Sequence, residues 1–153
     1  MADTTYLRYK VEPYVRERLA QRFGKSFTAK PISLSTGGQH EFDAVSEDGT
    51  IVVGIKAASG LTSGGRVPSG KLNNAIAELY YLSLVEAPTR MLVLTTPSFY
   101  DLMLKKIKGA LAPGIEIDCI ELPSDMQLEV DKIVKAASAE VSPLAVSDSD
   151  LEA

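Results

Sequence analysis

Asp43 and Lys56 are the residues of this chain whose types and spacing most readily do chemistry. Lys56 closes the run Thr50-Ile51-Val52-Val53-Gly54-Ile55, which is apolar on both faces, as expected of a central strand. A lysine on such a strand is costly to desolvate unless it has a partner or a task. Asp43 stands 13 positions earlier, and between the two lies Ser46-Glu47-Asp48-Gly49, whose Asp-Gly pair signals a hairpin turn. A hairpin there lays Asp43 across from residues 54–56. Strand alternation puts Gly54 and Lys56 on one face and Val53 and Ile55 on the other. A carboxylate beside the lysine is able to hold Mg²⁺ or Mn²⁺, because hard cations take oxygen ligands. The lysine can then orient a water, or help deprotonate it, for attack on phosphorus.

Other reactive residues point less clearly to chemistry. His40 is the single histidine and sits just before Glu41-Phe42-Asp43, where it could shuttle protons. A lone histidine at a strand entrance is more often structural. Cys119 lies in the core-strand pattern Ile117-Asp118-Cys119-Ile120, with no second histidine to activate it, so a catalytic thiol is not expected. Gly65-Arg66-Val67-Pro68-Ser69-Gly70-Lys71-Leu72 matches a phosphate-binding G-x-x-x-x-G-K except at its end. That motif needs Ser or Thr after the lysine to reach Mg²⁺, and Leu72 excludes an NTPase on this ground. The glycines there read instead as a loop over the site, with Arg66 and Lys71 able to contact phosphates.

These side chains need a scaffold, and the hydrophobic periodicity supplies one. Leu7, Val11, Val15, Leu19 and Phe23 repeat at i, i+4 and predict an amphipathic helix closed by Gly24. Pro13 sets the start of its main part near Glu12, with the first turns as a separate piece. Strands are expected at 27–35, 41–46 and 50–58, then a Gly/Ser-rich loop from Ser59 to Gly70. A helix follows from Lys71 to about Glu86, then a strand at 90–95, a helix at 97–110, a strand at 115–122 and a helix from Ser124 to about Ala139. A three-strand meander followed by βαβ crossovers implies an α/β domain, with a central mixed five-stranded sheet flanked by helices.

The 153 residues fit one domain, placed at 1–140, with a flexible Ser/Asp-rich tail at 141–153. Net charge is -4, but it is unevenly spread. Residues 1–72 hold ten Lys/Arg against seven Asp/Glu, and residues 73–153 hold six against thirteen. The N-terminal half, with Arg8, Lys10, Arg16, Arg18, Arg22, Lys25 and Lys30, offers either a phosphate-binding patch or a solvated helix face. One cysteine allows no intramolecular disulfide, the start lacks the pattern of a signal peptide, and no apolar run is long enough to span a membrane. The expected compartment is the cytoplasm, with no membrane partner.

Glu41-Phe42-Asp43, ten residues, then Gly54-Ile55-Lys56 resembles the motif of the PD-(D/E)XK nuclease superfamily, which has the restriction endonuclease-like fold. Glu12-Pro13-Tyr14-Val15-Arg16-Glu17-Arg18-Leu19 resembles its first helix, whose glutamate reaches the metal site. Ala75-Ile76-Ala77-Glu78-Leu79-Tyr80-Tyr81-Leu82 resembles the helix after the motif strand, and Met91-Leu92-Val93-Leu94 the next strand. The resemblance runs from about residue 5 to 122, on short motifs of a divergent superfamily. It implies a Mg²⁺- or Mn²⁺-dependent nuclease whose partner is nucleic acid. Asp43, Glu12 and the Ile55 backbone carbonyl would surround the metal, Lys56 would be catalytic, and a homodimer would be ordinary. The family pattern wants Asp or Glu where Gly54 stands. Either the acid has migrated, to Glu78 or Glu41, or the site is degenerate and the fold is a non-catalytic interaction module.

Overall fold

The computed structural model describes residues 5–57, 69–133 and 136. The tail expected at 141–153, and most of the glycine-rich loop, lie outside those residues.

The i, i+4 stripe forms one continuous helix. A π turn at Leu7–Val11 runs directly into α1, Glu12–Phe23, at the point where Pro13 has no N–H for the preceding turn. The expected separate first piece is therefore joined. Gly24, at φ 69°, ends α1 in the left-handed conformation that glycine adopts without strain.

Five strands follow: β1 (Phe27–Ser33), β2 (Gln39–Ser46), β3 (Ile51–Lys56), β4 (Thr89–Leu94) and β5 (Ile115–Cys119). They lie in sequence order in one open sheet. β1, β2 and β3 pair antiparallel, and β3, β4 and β5 pair parallel. The parallel crossovers are α2 (Ser69–Ser83) and α3 (Pro97–Lys106), and a last helix spans 124–133. The α/β class and the mixed five-stranded sheet flanked by helices are as the periodicity implies. Several ends differ: β1 and β5 stop earlier than expected, and α3 gives way to a turn closed by Gly109 at φ 77°.

The alternating strands feed two cores. Val45, Val52, Leu92 and Leu94 pack with Leu72, Leu79 and Leu82 of α2 and Phe99 and Met103 of α3. On the other face Ala44, Val53, Ile55 and Val93 pack with Val11, Val15 and Leu19 of the first helix and Val130 of the last. The sheet is thus covered on both sides, which suits the continuously apolar β3. Among the described residues, no helix is long and apolar enough to cross a membrane.

Two irregularities open a gap in this sheet. β1 and β2 pair Thr28 with Val45 and Lys30 with Phe42, so Ala29 alone faces both Asp43 and Ala44. This β-bulge re-aims the side chains of β2, as bulges beside functional sites do. The β2–β3 pairing is then confined to Ala44 with Val53 and Val45 with Val52. Beyond it, β2 stays with β1, while Gly54, Ile55 and Lys56 pair with Leu92, Val93 and Leu94 of β4. The two strands fork at Asp43 and Gly54.

Candidate active site at the strand fork

Where β2 and β3 part, the Ile55 N–H has no ladder partner on β2. It donates instead to Asp43 Oδ2 at 2.8 Å, which fixes the carboxylate inside the fork. From α1, Arg16 Nη1 donates to the Asp43 main-chain oxygen at 2.8 Å and lies 3.9 Å from Glu12 Oε1. α1 is thereby clamped over the bulge. Glu12, Asp43, Ile55, Lys56 and Lys71 line one cavity of about 320 Å³. Glu12 and Asp43 also wall a neighbouring cleft of about 380 Å³, which holds Arg8, Tyr9, Arg16 and Glu41.

The third carboxylate comes from the opposite face. Glu78 sits on α2 in line with Ala75, Leu79 and Leu82, the buried stripe of that helix. Only 5% of it is exposed. Its Oε1 lies 3.7 Å from Lys56 Nζ and 3.3 Å from His40 Nε2. Gly54 makes this placement possible. A Cβ built at position 54 would stand 2.5 Å from Glu78 Cγ and 2.6 Å from Oε2, well inside van der Waals contact. The Glu78 carboxylate therefore occupies the space that a side chain at position 54 would fill. A glycine within a strand often marks such a close approach.

Burial pushes all three carboxyl pKa values up. For Glu12 desolvation is the main cause and the Asp43 charge adds to it, with Arg16 opposing. For Asp43 desolvation again leads, offset by the Ile55 N–H and the Lys56 charge. For Glu78 desolvation outweighs the opposing Lys56 and His40. Gathering buried acids against a lysine is what a site for charged chemistry does, and salt-bridge networks do the same. Two features separate this cluster from a plain salt bridge. Lys56 remains 32% exposed at the cavity, and Glu78 Oε2 is buried with no hydrogen-bond partner among the described residues.

Of the residues singled out by sequence, the fork gathers Asp43, Lys56, Glu12, Ile55, Glu78 and Lys71. Arg66 lies outside the described residues. Asp43 and Lys56 line the same cavity, and Lys56 Nζ also has the Glu78 carboxylate 3.7 Å away. Gly54 and Lys56 face α2, while the bulge turns Asp43 toward α1. Glu41 is exposed and lines the neighbouring cleft. His40 belongs to the cluster, although its position in the sequence suggests a structural role. The Cys119 thiol is half-buried and its pKa is raised, by burial first and then by Glu121 and Asp118, which fits an unreactive thiol.

Among the described residues, no group of three or more His, Cys, Asp or Glu side chains is close enough to enclose a metal ion. Mg²⁺ seldom uses such a cage, and is usually held by one or two carboxylates with waters and substrate phosphates. No protein-family model, curated protein or solved structure matches the chain.

Proposed function

We propose that this chain is a Mg²⁺-dependent phosphodiesterase acting on nucleic acid, with a restriction endonuclease-like fold of the PD-(D/E)XK superfamily. On this reading the second acid of the motif has moved from strand to helix. The observation that carries the proposal is the Glu78 carboxylate lying where a side chain at Gly54 would stand, beside Lys56. A purely structural ion pair would engage Glu78 through Oε1 and leave no reason to bury Oε2 without a partner.

The donor set suits a hard cation, Mg²⁺ or Mn²⁺, held by two carboxylates. Asp43 and Glu78 would hold it with the Ile55 backbone carbonyl, waters and substrate phosphates, Glu12 would add negative charge at the cavity, and the unpartnered Glu78 Oε2 is an oxygen in need of a ligand. When bound, such a cation supplies Lewis-acid stabilisation of charge developing on the phosphoryl oxygens. Lys56, half-exposed at the cavity, would position the attacking water and balance charge on the scissile phosphate. Arg8 and Arg16 in the adjoining cleft and Lys71 at the cavity wall would contact flanking phosphates, with the exposed Tyr9 ring available for a base to stack on.

The test is cleavage. End-labelled single- and double-stranded DNA and RNA are incubated with the protein and Mg²⁺ or Mn²⁺, alongside Lys56→Ala and Asp43→Asn. Cutting by the wild type that stops in EDTA and in both variants is expected. A wild type that cuts none of these polymers would refute the enzyme.

A second reading draws on a different surface. Ile76, Leu79, Tyr80, Ile107, Leu111 and Ile115 line an apolar groove of about 410 Å³ between α2 and the segment before β5. Ile76 and Tyr80 are exposed there. A non-catalytic interaction module, or the homodimer of either reading, would use this face. Light scattering of wild type and Tyr80→Glu distinguishes them: a dimer lost in the variant places self-association on this groove, independently of any cleavage.

A further inference from the structure

The histidine of this chain, assigned no role above, is fixed from three directions. Its ring stacks on Tyr81 with centroids 3.9 Å apart and planes 6° from parallel. It meets the Phe42 ring edge-on at 4.7 Å. Its Nε2 lies 3.3 Å from Glu78 Oε1. An ionised carboxylate only accepts hydrogen bonds, so opposite ionised Glu78 the contact is Nε2–H donating to Oε1.

Glu78 needs such a partner. Its carboxylate reaches the fork from the far end of a flexible side chain, and its other charged neighbour, Lys56 Nζ, is 3.7 Å away, beyond hydrogen-bond distance. A glutamate held by Lys56 alone would rotate, and would also tie up the lysine. We propose that His40 is a positioning residue: it holds Glu78 Oε1 so that Oε2 faces the fork as a cation ligand and Lys56 stays available to substrate. This assignment rests on the metal-site reading above. What position 40 must supply is then a donor at the tip of a side chain seated between Tyr81 and Phe42. Outer-shell donors of this kind typically set metal affinity by about 10–100-fold.

The test compares His40→Gln with His40→Met in Mn²⁺ calorimetry. The two side chains are matched in length, and Gln carries an N–H at the position of the imidazole Nε2 while Met carries none. A thermal melt of each apo variant measures folding separately. The expected result is a loss of at least tenfold in Mn²⁺ affinity for Met, with affinity within about threefold of wild type for Gln. Should Met fail to fold, His40→Phe, which keeps the ring stack, takes its place. Equal affinities for Met and wild type, or a Gln variant as weak as Met, would overturn the role of His40 and leave the metal site standing. A wild type that binds no Mn²⁺ would overturn both.

Discussion

Gly54→Ala is the smallest change that probes the fork. The added Cβ would lie 2.5 Å from Glu78 Cγ, 2.8 Å from Cδ and 2.6 Å from Oε2. Carbon pairs rest at about 3.5–4.0 Å, so the middle of the Glu78 side chain must move by roughly 1 Å. A terminal atom could swing aside cheaply, but Cγ cannot move without taking the whole carboxylate off His40 and away from Lys56. Overpacking of this kind costs about 1–3 kcal/mol, offset by about 0.4–1 kcal/mol from the stiffer unfolded chain. The net loss is about 1–2 kcal/mol, a fall in Tm of roughly 2–8 °C for a chain of this size. Metal affinity should suffer more, by at least about tenfold, because misplacing a functional group by about 1 Å can cost two decades. Thermal melts and Mn²⁺ calorimetry measure the two effects side by side. Gly54→Glu should be no better than Gly54→Ala, since its acid enters occupied space. Gly54→Glu combined with Glu78→Ala should recover binding, because the carboxylate is then supplied from the strand. A Gly54→Ala protein with wild-type Tm and wild-type Mn²⁺ affinity would refute the reasoning.

Stability without metal should rise as pH falls from 7. Burial raises the folded-state pKa of Glu12, Asp43 and Glu78 above 4.5, 3.8 and 4.5, so the folded chain takes up protons before the unfolded one does. Their contribution grows as pH drops through the raised values and levels off below the ordinary ones. Glu47 and Asp48 are shifted down and act in the opposite sense only at lower pH. Melts in EDTA stepped from pH 7.5 down toward the ordinary carboxyl values should show Tm rising as these groups take up protons, and Asp43→Asn with Glu78→Gln should flatten the rise. Arg90→Met should destabilise without touching the site. Its guanidinium donates to the Leu82 and Val85 carbonyls at 3.2 Å and to Pro113 at 2.9 Å, tying the end of α2 to the turn before β5. Leaving those carbonyls unmet costs about 2–3 kcal/mol, read as a Tm drop of roughly 5–10 °C with Mn²⁺ affinity unchanged.

The sheet and its order were legible because period-2 runs, the Asp48-Gly49 turn and the i, i+4 helices are local signals. Asp43 and Lys56 were legible as residue types at suitable spacing, and Glu12 only through the resemblance of its helix. The bulge at Asp43 and Ala44 was not, since one extra residue in a strand leaves alternation almost unchanged while re-aiming a side chain. His40 and Glu78 are 38 positions apart, and nothing local joins them. Two signals did bear on Glu78. It falls three residues after Ala75 and four before Leu82, inside the buried stripe, and Gly54 interrupts an otherwise branched strand. Taken together, a missing side chain on the strand and a misplaced acid on the facing helix describe one arrangement.

The claim beneath all of this is that the β2–β3 fork holds one cation between acids from the strand and from the helix. Crystals soaked in Mn²⁺ and measured at the manganese absorption edge test it directly. The expected result is a single anomalous peak at the fork, within about 2.5 Å of carboxylate oxygens from both Asp43 and Glu78. A peak that touches Asp43 but leaves Glu78 on Lys56 and His40, or no peak at the fork at all, would contradict it.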